Sequence, residues 1–275
     1  MMPVEIYQGD SPLVLGLPHT GTYVPKEIFE RLTPLGKTLS DTDWHIEKLY
    51  DGLVPQATTV RAMFHRYVID ANRDPSGASL YPGQNTTGLV PLTDFDGEPL
   101  WINEPSDLEI EERRKNFHAP YHSALVAEME RVRAAHGYVI LYDCHSIRSN
   151  IPFLFEGTLP DFNIGTNNGA TCAPEIEQVA VQLCKKADGY SSVLNGRFKG
   201  GWTTRHYGRT EDGFHAIQME LAQSTHLKTE TLPFEYDEEK AEYLRLHLKT
   251  ILEAISNSNL PNRTLPTENS MGGTL

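Results

Sequence analysis

Cysteine is scarce in this chain. The three present, Cys144, Cys172 and Cys184, follow no regular spacing, which excludes a disulfide framework and fits reduced thiols in a cytoplasmic protein. Long apolar runs are missing as well: none nears the roughly 20 residues needed to span a bilayer. Met1 to Asp10 carries no basic stretch followed by an apolar one, so no secretory leader is expected. Positive charge is also in deficit. A formal net charge of -13 works against nucleic acid and anionic membrane as partners and does not oppose a small acidic substrate, since a few local arginines can reverse the potential inside a pocket. No internal repeat and no low-complexity tract is visible.

What remains is a soluble, globular composition, 39% hydrophobic and 22% charged, over 275 residues: enough for one large domain and short for two. Residues 1–260 are expected to form a single catalytic domain, and 261–275 a polar C-terminal tail. The apolar runs Pro12–Leu17, Ala57–Ala62, Arg66–Asp70, Tyr138–Asp143 and His215–Leu221 read as strands. Helices are expected over Pro25–Leu32, after a cap at Asp41 or Thr42, over Pro174–Ala187 and over Asp237–Ile255. A capping box at Ser106 and Glu109 opens a further long helix that Pro120 should break or kink. Asn72–Pro105 has little periodicity, and a loop of that length suits a functional role such as a lid. Alternating strands and helices indicate an α/β domain with a mixed, largely parallel sheet.

In such sheets ligands gather at the strand ends. Three ends carry polar groups that ordinary turns do not need: His19 in Pro-His-Thr-Gly, His145 in Asp-Cys-His-Ser, and Glu220 within an otherwise apolar strand. Singly, each has a plain structural explanation. Together, two histidines and a carboxylate form the ligand set of a catalytic zinc centre with one position open for water. Asp43, expected in the first turn of a helix soon after His19, is the natural third ligand; Asp41 and Glu47 compete with it, and helix capping is its alternative role. The segment Arg66-Tyr-Val-Ile-Asp-Ala-Asn72-Arg73 suits an anion site, since Arg73 can grip a carboxylate with two parallel hydrogen bonds. Arg205 and Arg209, in the glycine-rich stretch Gly200–Gly213, offer a second anion contact. His118 and His122 have the i,i+4 spacing of a metal pair, but Pro120 lies between them, and they read as surface or lid residues. Ser146 lacks the glycine-flanked elbow of serine hydrolases, and Cys144 reads as a packing residue.

In this order, PHTG, RYVIDANR, YDCHS and IQMEL resemble the N-formylglutamate amidohydrolase family, which is distantly similar to zinc carboxypeptidases, aspartoacylase and succinylglutamate desuccinylase. The resemblance runs from about Val14 to about Leu227 and includes NRDPSGASLYPGQNTTGLVP and GGWTTRHYG. It implies a three-layer αβα, zinc-carboxypeptidase-like domain that hydrolyses N-formyl-L-glutamate in histidine degradation. It also implies that His19 and His145 bind zinc, Glu220 activates water, Arg66 polarises the scissile carbonyl, and Asn72 with Arg73 binds the α-carboxylate. The related enzymes place a zinc glutamate three residues after the first histidine, where this chain has Thr22. The third ligand must therefore come from elsewhere. Hydrolysis of another N-acyl acidic amino acid, or non-catalytic binding of one, are the competing readings.

Overall fold

The computed structural model describes residues 2–79, 83, 85–258 and 260. The tail over 261–275 lies outside them. Seven strands form one sheet in the order β1-β3-β2-β4-β7-β5-β6: β1 Val4–Tyr7, β2 Leu13–Leu17, β3 Thr58–Ala62, β4 Val139–Ile147, β5 Phe162–Gly165, β6 Ser192–Leu194 and β7 Phe214–Ala222. The central run β3-β2-β4-β7 is parallel, whereas β1 on β3 and β5 on β7 are antiparallel. The sheet is thus mixed and largely parallel, as the alternating sequence pattern implies.

β2, β4 and β7 are buried along their whole length, which explains their near-continuous apolar runs. Side chains alternate between two cores. Leu13, Leu15, Ile140, Tyr142, Ile217 and Met219 pack toward α2 (Ile46–Tyr50), α5 (Pro174–Lys186) and α7 (Glu238–Ser256). Val14, Val60, Leu141 and Ala216 pack toward α4 (Ala119–His136), alongside Trp202 and Tyr207 of α6 (Trp202–Tyr207). The period of two then decides where the chemistry lies. Asp143 and His145 share a face with Val139 and Leu141, and Gln218 and Glu220 share one with Phe214 and Ala216. All four therefore emerge on the α4 side, toward the C-terminal ends of the parallel strands.

Several local expectations are corrected. Arg66–Asp70 is not a strand. Val68 N bonds His65 O and Tyr67 N bonds His65 Nδ1, both local contacts, and Asp70 N bonds Leu89 O in the following loop, so none of these groups pairs with a neighbouring strand. The first helix is a single turn, α1 Lys26–Phe29, and neither Asp41 nor Thr42 caps α2, which begins after a left-handed His45 with no side-chain cap. Asp43 accordingly precedes α2 instead of lying in its first turn. β4 continues through Cys144, His145 and Ser146, and α6 stands within the stretch expected to be a glycine-rich loop. The capping box at Ser106 is present and opens α3, Asp107–Arg113. The chain does not break at Pro120. It stays helical through a π turn over Arg114–His118 and on into α4. Pro120 has no N–H for the carbonyl of Asn116, four residues earlier, and the widened turn lies at that point. Among the described residues no helix is long and apolar enough to cross a membrane.

Candidate metal centre and active site

His19 follows β2 directly, and a backbone hydrogen bond from Asp43 N to His19 O (3.1 Å) brings the Asp43 carboxylate under the imidazole. His145 enters from the neighbouring strand β4. His19 Nδ1 and His145 Nδ1 lie 3.2 Å apart, and Asp43 Oδ2 is 3.6 Å from the first and 3.2 Å from the second. Ligand atoms in a tetrahedral zinc site with bonds of roughly 2.0–2.1 Å stand about 3.3 Å from one another. The three residues are fully buried and form a group that could hold a metal ion. Asp41 and Glu47, the sequence competitors of Asp43, are elsewhere: Asp41 Oδ2 accepts from Phe95 N (3.1 Å), and Glu47 faces Arg61 at 3.5 Å.

Each imidazole is backed by a second carboxylate. His19 Nε2 lies 2.7 Å from Asp70 Oδ1, and His145 Nε2 lies 3.1 Å from Asp143 Oδ1. A proton on each Nε2 suits these acceptors, and it leaves both Nδ1 lone pairs aimed at one small space. Two lone pairs 3.2 Å apart repel unless a cation lies between them. The donor set therefore fits a divalent metal, in the carboxylate–histidine–metal arrangement that fixes ring orientation. Sequence reading passed over Asp70 and Asp143, although each stands in a motif it had singled out.

The charges are balanced locally. Burial pushes the Asp43 carboxyl up, but Arg66 at 3.4 Å and His19 outweigh it and hold the group well below the usual carboxylate range. Burial likewise disfavours a charged His145, yet Asp143 and Asp43 hold its pKa well above the ordinary imidazole value. Glu220 behaves differently. Burial pushes it up to about 8, with His145 and Arg66 opposing the rise and Asp43 adding to it. Gln218 Nε2 donates to Glu220 Oε2 at 2.9 Å and orients the carboxyl.

A cavity of about 210 Å³ opens over this cluster. His19, His145, Glu220 and Arg66 line it, as do Asn72, Arg73, Gln218 and Gly201. Arg73 is set by Nε and Nη2 bonds to Thr87 O and Oγ1 (2.9 and 2.8 Å) and by an Nη1 bond to Asn72 O (2.9 Å). Asn72 Oδ1 accepts from Thr203 N (2.8 Å), and its Nδ2 stands 3.1 Å from His145 Nε2 without donating to it, since the proton of that nitrogen faces Asp143.

A family model for N-formylglutamate amidohydrolase matches residues 11–227. The chain belongs to this family. It is 46% identical over 255 residues to an N-formylglutamate deformylase of Pseudomonas putida, covering 92% of this chain and 95% of that protein. It is 44% identical over 252 residues to an N-formylglutamate deformylase of Pseudomonas aeruginosa, covering 90% and 94%. A crystal structure of N-formylglutamate amidohydrolase from Ralstonia eutropha superposes with a TM-score of 0.77 at 26% identity, covering 92% of this chain and 97% of that one.

Within this family framework the structure brings His19, Asp43, Arg66, Asn72, Arg73, His145 and Glu220 together. Arg205 is set apart from them. It does not line the cavity, and its Nε donates to Gly200 O at 2.8 Å. The second arginine at the mouth is instead Arg197, on the loop after β6, which no strand-end motif marks. His118 and His122 are not surface residues: both are buried, their Nε2 atoms 3.0 Å from Arg73 O and 2.8 Å from Ala71 O. They brace from behind the backbone corner that presents Asn72 and Arg73. What hid them was Pro120, which suggests an irregular and therefore exposed helix.

Proposed function

We propose that the protein hydrolyses N-formyl-L-glutamate to formate and L-glutamate, as a step of histidine degradation in the cytoplasm, with zinc held by His19, Asp43 and His145. One observation carries the reading: three buried ligand atoms converge beneath a cavity whose walls also hold Glu220, Arg66 and Arg73. Membership of the amidohydrolase family and the two Pseudomonas relatives named as deformylases supply the acyl group and the amino acid. The three buried, free cysteines suit a reducing compartment.

When bound, such an ion lowers the pKa of a water molecule from 15.7 to about 7 and polarises the carbonyl it touches. The remaining work falls to the chain. Glu220 in its ionised form, which a cation bound beside it would favour against the rise that burial causes, takes the water proton and passes it to the departing amine. Arg66, held by Asp43 and lying over the Phe95 ring at 5.1 Å, faces the developing oxyanion. Of the five N–H donors of Arg73, three are committed to Thr87 and Asn72 and a fourth, on Nη1, faces Asp70 Oδ2 at 3.7 Å, so an Nη2 N–H is left to meet the substrate α-carboxylate.

Formate release from N-formyl-L-glutamate, measured beside N-acetyl- and N-succinyl-L-glutamate, tests the substrate. Repeating the assay after chelation and zinc return tests the metal. Zinc-replete protein that spares the formyl substrate and cleaves another would overturn the proposal, as would full activity without metal.

A further inference from the structure

Glutamate has two carboxylates, and Arg73 answers for one. The other must meet a cation or lie unpaired in the cavity. Arg66 is engaged with Asp43. Among the described residues lining the cavity, the remaining cation is Arg197.

The loop that carries Arg197 is built to hold it. Asn195, in the left-handed region at φ 50°, anchors the loop by bonding Ile164 O through its N (2.7 Å), and Thr166 N and Oγ1 through its side chain (2.9 and 2.8 Å). Downstream, Lys199 O accepts from Asn167 N (2.6 Å), and Gly201 N donates to Gln218 Oε1 (2.6 Å). Gln218 is the residue that also holds Glu220. The segment between is thus tied at both ends to β5, to the turn that follows it, and to β7. The Arg197 guanidinium itself rests against the Phe198 ring at 5.5 Å, and its Nε donates to Leu154 O at 3.2 Å. A planar, five-donor cation in a preset orientation suits a carboxylate, because little rotamer freedom is left to lose on binding.

We infer that Arg197 is the specificity residue of this site, reading the side-chain carboxylate of the acidic amino acid while Arg73 reads the α-carboxylate. The inference rests on the deformylase reading for the identity of the substrate, and on the cavity alone for the preference for a dicarboxylate. A substrate without that group, such as N-formyl-L-norvaline, has a side chain of the same carbon count but offers the guanidinium no carboxylate. Discrimination by a missing charge partner of a half-buried arginine exceeds what a missing methylene achieves.

The test is Arg197→Gln and Arg197→Lys in the full, zinc-loaded protein. The ratio of kcat/KM for N-formyl-L-glutamate over N-formyl-L-norvaline should fall roughly 30-fold or more in Arg197→Gln, a loss typical of truncating a bound charge pair. Arg197→Lys should recover part of it, with metal content equal to that of the parent in both variants. Binding of L-glutamate against L-norvaline, followed by calorimetry, gives a readout independent of turnover. If the parent prefers L-glutamate, Arg197→Gln loses that preference and N-formyl-L-glutamate is not hydrolysed, the deformylase reading falls and the role of Arg197 stands. An unchanged ratio and unchanged binding preference in Arg197→Gln, or no preference for L-glutamate in the parent, overturns the inference.

Discussion

Asp70 accepts from His19 Nε2 at 2.7 Å through the same Oδ1 that accepts from Asn72 N at 2.8 Å. One oxygen thus steadies a metal-binding ring and the backbone of the α-carboxylate corner. Burial pushes Asp70 up, but Arg73, His19 and Arg66 hold it well below the usual carboxylate range, so it stays ionised. Asp70→Asn keeps the shape and removes the charge. Zinc affinity, measured by chelator competition, should fall about 10–100-fold, the usual cost of losing such a partner. Unchanged affinity would show that His19 is oriented by packing alone.

Glu220→Gln should fold, bind zinc and lose kcat by roughly 10²–10⁴, the range for lost acid–base assistance. KM should change little, because proton transfer matters in the transition state. Turnover within a few-fold of the parent would remove Glu220 from the chemistry.

Arg73→Ala should raise KM for N-formyl-L-glutamate by about 30-fold or more, since breaking a bound charge pair costs roughly 2–5 kcal/mol. Steady-state kinetics on metal-replete protein decides this. A KM equal to the parent's would leave the α-carboxylate to other donors.

Acid should loosen the fold through its buried histidines. Burial lowers His226 to about 4 and His122 to about 3. Their folded pKa values lie below the unfolded value of about 6.5, so below that pH the unfolded chain binds protons that the fold rejects. The stability each contributes is complete above about 6.5 and is lost as pH falls toward the folded value. For His226 the full loss is roughly 3 kcal/mol. Urea midpoints for the parent and His226→Gln should therefore converge between pH 7 and pH 5. A constant gap would show that His226 takes up its proton in the fold as readily as in the unfolded chain.

The site was legible in the sequence where a polar residue interrupts a run that otherwise has to be apolar. His145 and Glu220 break central, fully buried strands, and His19 ends one, so their side chains need a polar purpose. Asp43 was harder, because its place depends on a backbone bond to His19 across a turn that no periodicity marks. Asp70 lay in a segment read as a strand. Its apolar neighbours Val68 and Ile69 are buried by packing, while the Val68 backbone closes a turn, and composition alone does not separate this from a strand. Arg197 and Arg205 carry identical side chains in glycine-bearing stretches, the first on the loop after β6 and the second within α6. Only the anchoring of one loop across β5 and β7 decides which arginine faces the cavity.

The π turn over Arg114–His118 has a consequence for the phase of its helix. Arg113, His118 and His122 approach the carbonyls of Val68, Arg73 and Ala71 from a single helical span. At about 3.6 residues per turn, a step of five residues would rotate Arg113 and His118 well away from a common direction. The wider turn absorbs the surplus residue and brings them back into line, and the ordinary α spacing then carries His118 to His122. The irregularity works as a vernier, matching the pitch of the helix to the uneven spacing of three carbonyls. Deleting one residue there would make a more regular helix with its two ends out of step, and the corner that presents Asn72 and Arg73 would lose a support on one side.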